Sequence, residues 1–113
     1  MKTAKVLNWV IAIGGVWEIL APFILSYSAA KTPMWDAIII GVVLVILGAW
    51  AGLANASGTV KALSWVNAVL GLWLIIAPFI LAYSSVKAAM WNDIIVGIII
   101  VVLGVWAAQS IKE

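Results

Sequence analysis

Shifted by 56 residues, the chain overlays itself without a gap. Residues 9–51 read WVIAIGGVWEILAPFILSYSAAKTPMWDAIIIGVVLVILGAWA, and residues 65–107 read WVNAVLGLWLIIAPFILAYSSVKAAMWNDIIVGIIIVVLGVWA; 24 of the 43 positions are identical. The identities include Pro, Tyr, Lys, Gly and every Trp, so shared apolar composition does not explain them. The repeats extend over residues 3–53 and 59–109. A fold for this chain must therefore be one unit built twice.

Each unit holds two apolar stretches. They run over Val6–Tyr27, Met34–Leu53, Ala62–Tyr83 and Met90–Ala108. At about 1.5 Å per residue each is long enough to cross a hydrocarbon core of about 30 Å. The rest of the composition agrees: 67% of residues are hydrophobic, 9% are charged, and the mean hydropathy is +1.27. Barrel strands alternate polar with apolar and need only about 10 residues, which these runs do not match. The expectation is an all-α integral membrane protein, a single domain over residues 1–113, with helices near 6–27, 34–53, 62–83 and 90–108. The first run is too long, and lacks a small-residue cleavage site, to read as a secretory signal. Thr32 and Pro33 suit the start of the second helix, and Ser57-Gly58-Thr59 a turn and cap before the third. The sequon at Asn55 reads as chance in so short a turn.

A hairpin leaves the membrane on the side where it entered, so the two copies share one orientation. They are parallel repeats, unlike the inverted repeats of rocking-bundle transporters. Both termini and the middle loop then lie on one side, with Lys2, Lys5, Lys61 and Lys112; the other side has Lys31 and Lys87. That excess places the termini in the cytoplasm and the protein in the cell membrane.

Small residues mark the packing faces. Helix 1 carries Asn8, Ala12, Gly15, Ile19, Pro22 and Ser26, and helix 3 carries Ser64, Ala68, Gly71, Ile75, Pro78 and Ala82, at matching spacing. Helix 2 has Gly41 and Gly48, and helix 4 has Gly97 and Gly104. In lipid, helices associate by close packing of small residues. The 3.5-residue period predicts a left-handed four-helix bundle, hairpin against hairpin. Pro22 and Pro78 fall inside helices 1 and 3. Each removes one N–H and frees the carbonyl four residues earlier, at Glu18 and Leu74; a kink fitted to the bundle explains both.

The eight Trp form four repeat pairs. Trp9, Trp65, Trp50 and Trp106 fall near one membrane face, and Trp35 and Trp91, with Tyr27 and Tyr83, near the other. These are belt positions that anchor a protein at the interface. Trp17 and Trp73 lie deeper, where an indole packs between helices or donates to a buried acceptor.

The order W, G-x-W, A-P-F-x-L-x-Y, M-W-[DN], I-I-x-G resembles the SPW-repeat family of small bacterial and archaeal membrane proteins. In that family a Ser-Pro-Trp tripeptide ends the inner half of the first helix, and a Trp-Asn pair opens the second. Here the tripeptide is Ala21-Pro22-Phe23 and Ala77-Pro78-Phe79. Trp91-Asn92 matches the second motif, while Trp35-Asp36 departs from it. The resemblance covers nearly the whole chain and implies four helices from two hairpins, with no particular activity.

Function must come from what breaks the symmetry. Glu18 stands opposite Leu74, Asn67 opposite Ile11, and Pro33 opposite Ala89. Glu18 is the one ionisable group expected near mid-membrane. A carboxyl there must be protonated, paired or facing water. Trp73 is expected to be its partner by depth, and Asn67 a more distant one better suited to an interhelical hydrogen bond. Asp36 and Asp93 are expected in the first turns of helices 2 and 4, facing the interface.

The chain has no His, Cys or Arg, which removes thiolate, disulfide and triad chemistry and bidentate phosphate clamps. No catalytic, cofactor or metal site is recognisable, and a net charge of +2 is too small for a nucleic-acid footprint. No polar stripe marks a pore. Two functions remain. The first is a non-enzymatic structural or accessory membrane protein that associates with itself or with other membrane subunits. The alternative is a small proton-coupled transporter of lipophilic cations using Glu18, similar in size and topology to the small multidrug-resistance transporters. No substrate or other small-molecule ligand is identified by the sequence.

Overall fold

The computed structural model describes residues 2–25, 31–81 and 86–111, apart from the side chains of residues 32 and 33. These form four helices: α1 Lys2–Ile24, α2 Lys31–Leu53, α3 Ser57–Ile80 and α4 Lys87–Gln109. All four are long and apolar enough to cross a membrane. At 23 or 24 residues each is about 35 Å long, a little more than the hydrocarbon core. No strand occurs among the described residues.

The helices start three to five residues before the apolar runs do. The Lys-bearing segments at the membrane edge are helical too, because a helix satisfies its own backbone wherever water becomes scarce. Two expectations change as a result. Thr32 lies inside α2, not ahead of it. Ser57-Gly58-Thr59 is the first turn of α3, after an extended Ala56 that makes no side-chain cap. Ala54, Asn55 and Ala56 alone join α2 to α3. Tyr27, Tyr83 and Lys112 lie outside the described residues.

The four helices are apolar on every side, so hydrophobicity does not choose the inner face. Small residues do. In α1 the buried positions include Ala4, Asn8, Ala12, Gly15, Glu18 and Pro22, and in α3 Val60, Ser64, Ala68, Gly71, Leu74 and Pro78. Within each hairpin the backbones touch. A Cβ on Gly41 would lie 2.6 Å from the carbonyl oxygen of Gly15, and one on Gly97 the same 2.6 Å from that of Gly71. One turn of heptad further, a Cβ on Gly48 would lie 2.7 Å from the Asn8 carbonyl oxygen, and one on Gly104 2.8 Å from the Ala68 nitrogen. The two hairpins then pack side by side, α1 against α4 and α2 against α3.

The core has three layers. Ala4, Leu7, Val60 and Ala107 close the end that carries the described chain ends. Ile11, Leu44, Leu74 and Ile100 fill the middle. Ala21, Ala77 and Ala89 close the opposite end, flanked by Trp17 and Trp73. The helices continue past Pro22 and Pro78, both buried, to Ile24 and Ile80. Trp9, Trp35, Trp50, Trp65, Trp91 and Trp106 are all exposed on the outer surface.

Candidate functional site

Two polar clusters lie inside the bundle. The one nearer the described chain ends joins α1 to α3. Asn8 Nδ2 donates to Ser64 Oγ at 2.9 Å and to the Ala4 carbonyl oxygen at 2.9 Å. Ser64 Oγ donates to the Val60 carbonyl oxygen at 2.7 Å. Asn67 Nδ2 donates to Asn8 Oδ1 at 2.9 Å. Asn67 is thus an interhelical hydrogen-bond group, about two turns of helix away from the Glu18 region. Its Oδ1 is buried without a partner. Interhelical bonds of this kind contribute about 0.6 kcal/mol on average in a membrane. Asn67→Ile, which copies Ile11, loses one such bond and exchanges one orphan acceptor, Asn67 Oδ1, for another, Asn8 Oδ1. Its unfolding free energy in detergent is expected to stay within about 1 kcal/mol of the parent.

The second cluster lies toward the opposite end, and symmetry explains half of it. Trp17 Nε1 donates to Asn92 Oδ1 at 2.7 Å, from α1 to α4. Trp73 Nε1 donates to Asp36 Oδ1 at 2.9 Å, from α3 to α2. Residues 17 and 73 are repeat counterparts, and so are 36 and 92. One indole bond therefore bridges the hairpins twice. This corrects the pairing of Trp73 with Glu18: the Trp73 indole reaches across to the neighbouring hairpin, as its twin does.

Glu18 is fully buried. It lies five residues, about 8 Å, beyond the centre of α1, because that helix begins at Lys2 and ends at Ile24. It lies toward the Ile24 end of the helix, not at its middle. Its partner is Asn92, whose Nδ2 donates to Glu18 Oε1 at 2.9 Å and lies 3.4 Å from Asp93 Oδ1. Among the described residues no amide or indole N–H reaches Glu18 Oε2.

Asp93 is fully buried as well, against the expectation that it faces the interface. The reason is the helix start. With α4 beginning at Lys87, residue 93 is in the second turn, and it falls on the same stripe as Gly97, Ile100 and Gly104. The Asp93 carboxyl lies within side-chain hydrogen-bonding range of Glu18. Two carboxyls are both acceptors when ionised, so such a bond exists only with a proton on one of them. The counterpart of Asp93 is Ala37 and that of Glu18 is Leu74, both fully buried. The α1–α4 seam therefore carries two carboxyls where the α3–α2 seam carries an alanine and a leucine.

The same seam has an opening. A groove of about 450 Å³ runs between α1 and α4, floored by Gly14, Val96, Ile100 and Leu103 and ended by Trp17 and Asn92. It owes its depth to Gly14, whose counterpart Leu70 packs on the middle core layer. A Cβ on Gly14 would meet Ile100 at an ordinary 3.7 Å, so here glycine leaves space instead of permitting contact. Sequence reasoning missed Asn92, Asp93 and the groove. The signals were present: the glycine stripe of α4 extends back onto Asp93, and Gly14 faces Leu70 in the self-alignment. No group of three or more acidic side chains suited to a metal ion occurs among the described residues.

No curated protein and no solved structure matches the chain. The family model of the SPW repeat domain does, over residues 5–107. With two hairpins related by a 56-residue shift and that match across nearly its whole length, the chain belongs to the SPW-repeat family.

Proposed function

We propose that this is a non-enzymatic accessory protein of the cell membrane, with both termini in the cytoplasm, that works by associating with copies of itself or with other membrane subunits. The observation that carries this reading is the outer surface. Large apolar side chains stand exposed along all four helices, from Val6 and Ile13 on α1 to Val102 and Trp106 on α4. The polar side chains inside are engaged mainly with one another, so the chain offers its surroundings packing surface and little chemistry. Lipid covers such a surface, and a second membrane helix covers it equally well. The hairpins are locked by backbone contact at paired glycines, which makes the surface rigid and suited to assembly. Native mass measured after gentle extraction tests this. A defined homo-oligomer or stoichiometric complex is expected; a bare monomer, unchanged across mild detergents, would contradict it.

One observation favours a second reading, proton-coupled transport of lipophilic cations. It is the contact between Glu18 and Asp93 in a seam whose twin lacks both. In proteoliposomes this reading requires uptake of a lipophilic cation driven by a proton gradient and abolished by Glu18→Gln. Uptake that ignores the gradient would rule it out.

A further inference from the structure

We propose that a pocket of the α3–α4 hairpin, at the end of the bundle that carries the described chain ends, binds an anionic phospholipid: its headgroup through Lys61, Trp65 and Gln109, and one acyl chain along α4. The observation is a difference between the two copies. In the first, Lys5 Nζ donates to Asn55 Oδ1 at 3.2 Å. The Trp9 indole lies against Gly52, where a Cβ would fall 2.6 Å from Trp9 Cε2 and 2.8 Å from Trp9 Cδ1. The second copy changes both partners. The counterpart of Asn55 is Ile111, which offers the Lys61 ammonium no side-chain acceptor. The counterpart of Gly52 is Ala108, whose methyl takes the place that the Trp9 indole needs. Trp65 therefore cannot settle on α4 as Trp9 settles on α2. A pocket of about 360 Å³ lies there, lined by Lys61, Trp65, Ala108, Gln109 and Ile111.

The pocket gathers donors that have nothing to donate to. Lys61, Trp65 and Gln109 are all exposed, and among the described residues none of the three side chains has a hydrogen-bond or ionic partner. An ammonium, an indole N–H and a carboxamide N–H all suit a phosphate oxygen. The described acids lie elsewhere: Glu18 is near the end of α1, and Asp36 and Asp93 are near the starts of α2 and α4, all toward the opposite end of the bundle. An anion entering this pocket meets a lysine and no described carboxylate. A Trp near the end of a membrane-crossing helix stands at headgroup level, and basic pockets between spans hold anionic headgroups.

A second groove makes the ligand a lipid and not a free phosphate. It holds about 390 Å³, begins at the same Gln109, and runs along α4 past Trp106 and Val105 to Val102 and Val101. Val101 is eight residues, about 12 Å, further along the helix than Gln109. A basic pocket and an apolar groove that meet at one side chain fit a molecule with an anionic head and a hydrocarbon tail. Inorganic phosphate fills only the first. The competing anion within the chain is Glu113, two residues beyond Ile111 in the sequence. The site stands apart from the buried carboxyls and from both functional readings above.

The test is native mass spectrometry of the purified full chain, released from detergent micelles that hold equal amounts of phosphatidylglycerol and phosphatidylcholine. Preferential retention of one phosphatidylglycerol per chain is expected. Lys61→Gln should lower that retention by about fivefold, and Lys5→Gln, at the twin position already engaged by Asn55, by less than about twofold. Ala108→Gly combined with Ile111→Asn rebuilds the first copy's arrangement around Lys61. It should lower retention as much as Lys61→Gln does, although it removes no charge. Helical circular dichroism reports whether each variant is folded; if the double variant is not, Lys61→Gln, at an exposed side chain, decides alone. Equal losses from Lys5→Gln and Lys61→Gln would mean diffuse surface charge and overturn the proposal. So would equal retention of the two lipids, or displacement of the lipid by inorganic phosphate but not by chloride at the same ionic strength. Selective retention seen only in Glu113→Gln would assign the pocket to the chain's own carboxylate and overturn it as well.

Discussion

Gly41→Leu is expected to cost about 3 kcal/mol or more of stability and to leave little folded protein after extraction. The side chain would begin 2.6 Å from the Gly15 carbonyl oxygen, 2.8 Å from Ile19 Cγ1 and 3.0 Å from the Ile19 nitrogen. Two of those three atoms are backbone of a neighbouring helix, which cannot rotate away. The hairpin can only open, and opening removes the close contact that holds helices together in lipid. Gly97→Leu should behave alike in the second hairpin, where the first contact is also 2.6 Å. Gly58 supplies the control. Nothing lies within 4 Å of a Cβ there, and it sits in the first turn of α3, so Gly58→Ala should be neutral or slightly stabilising. Thermal unfolding followed by circular dichroism in one detergent ranks the three. Equal melting temperatures for Gly41→Leu and Gly58→Ala would contradict the packing described.

Asn92→Asp should be the most damaging single-atom change in the chain. It gives this position the residue type of its counterpart, Asp36. The Trp17 indole keeps an acceptor, but Glu18 loses its donor at 2.9 Å, and a third carboxyl joins two that already touch. Uncompensated charge in such a place costs about 3–5 kcal/mol. The loss should depend on pH with a definite sign. In alkaline buffer the three carboxyls repel; in acid, a proton on the new group restores a donor, and stability recovers. Asn92→Leu lacks that recovery, since no proton replaces the amide. Urea unfolding of both variants across pH checks this, and a pH-independent loss in Asn92→Asp would mean the three groups are further apart than described.

The architecture was legible because its signals are repeated. Apolar length gave four spans, the self-alignment gave two hairpins, and Gly15, Gly41, Gly71 and Gly97 marked where backbones meet. The site was less legible, because it rests on small errors of phase. An apolar run ends where charge begins, yet the helix goes on through Lys87 and Lys31. Three residues of extra helix turn Asp93 from an interfacial side chain into a buried one. Four extra residues at the start of α1 likewise shift its centre, and so the depth of Glu18. The pairing of Trp73 with Asp36 follows from a symmetry that the sequence contains, but only once α1 is known to face α4 and α3 to face α2.

The two seams between the hairpins are related by symmetry and differ in chemistry, and this difference is what any function of the cluster depends on. Cross-linking of paired cysteines tests it most directly, since the chain has none of its own. Trp17→Cys with Asn92→Cys, joined by a short bifunctional reagent in native membranes, should link α1 to α4 within one chain and migrate as a compact monomer. Trp73→Cys with Asp36→Cys should do the same across the other seam. Links that form only between separate copies would contradict the arrangement, because Glu18 and Asp93 would then meet in a dimer and not inside one bundle.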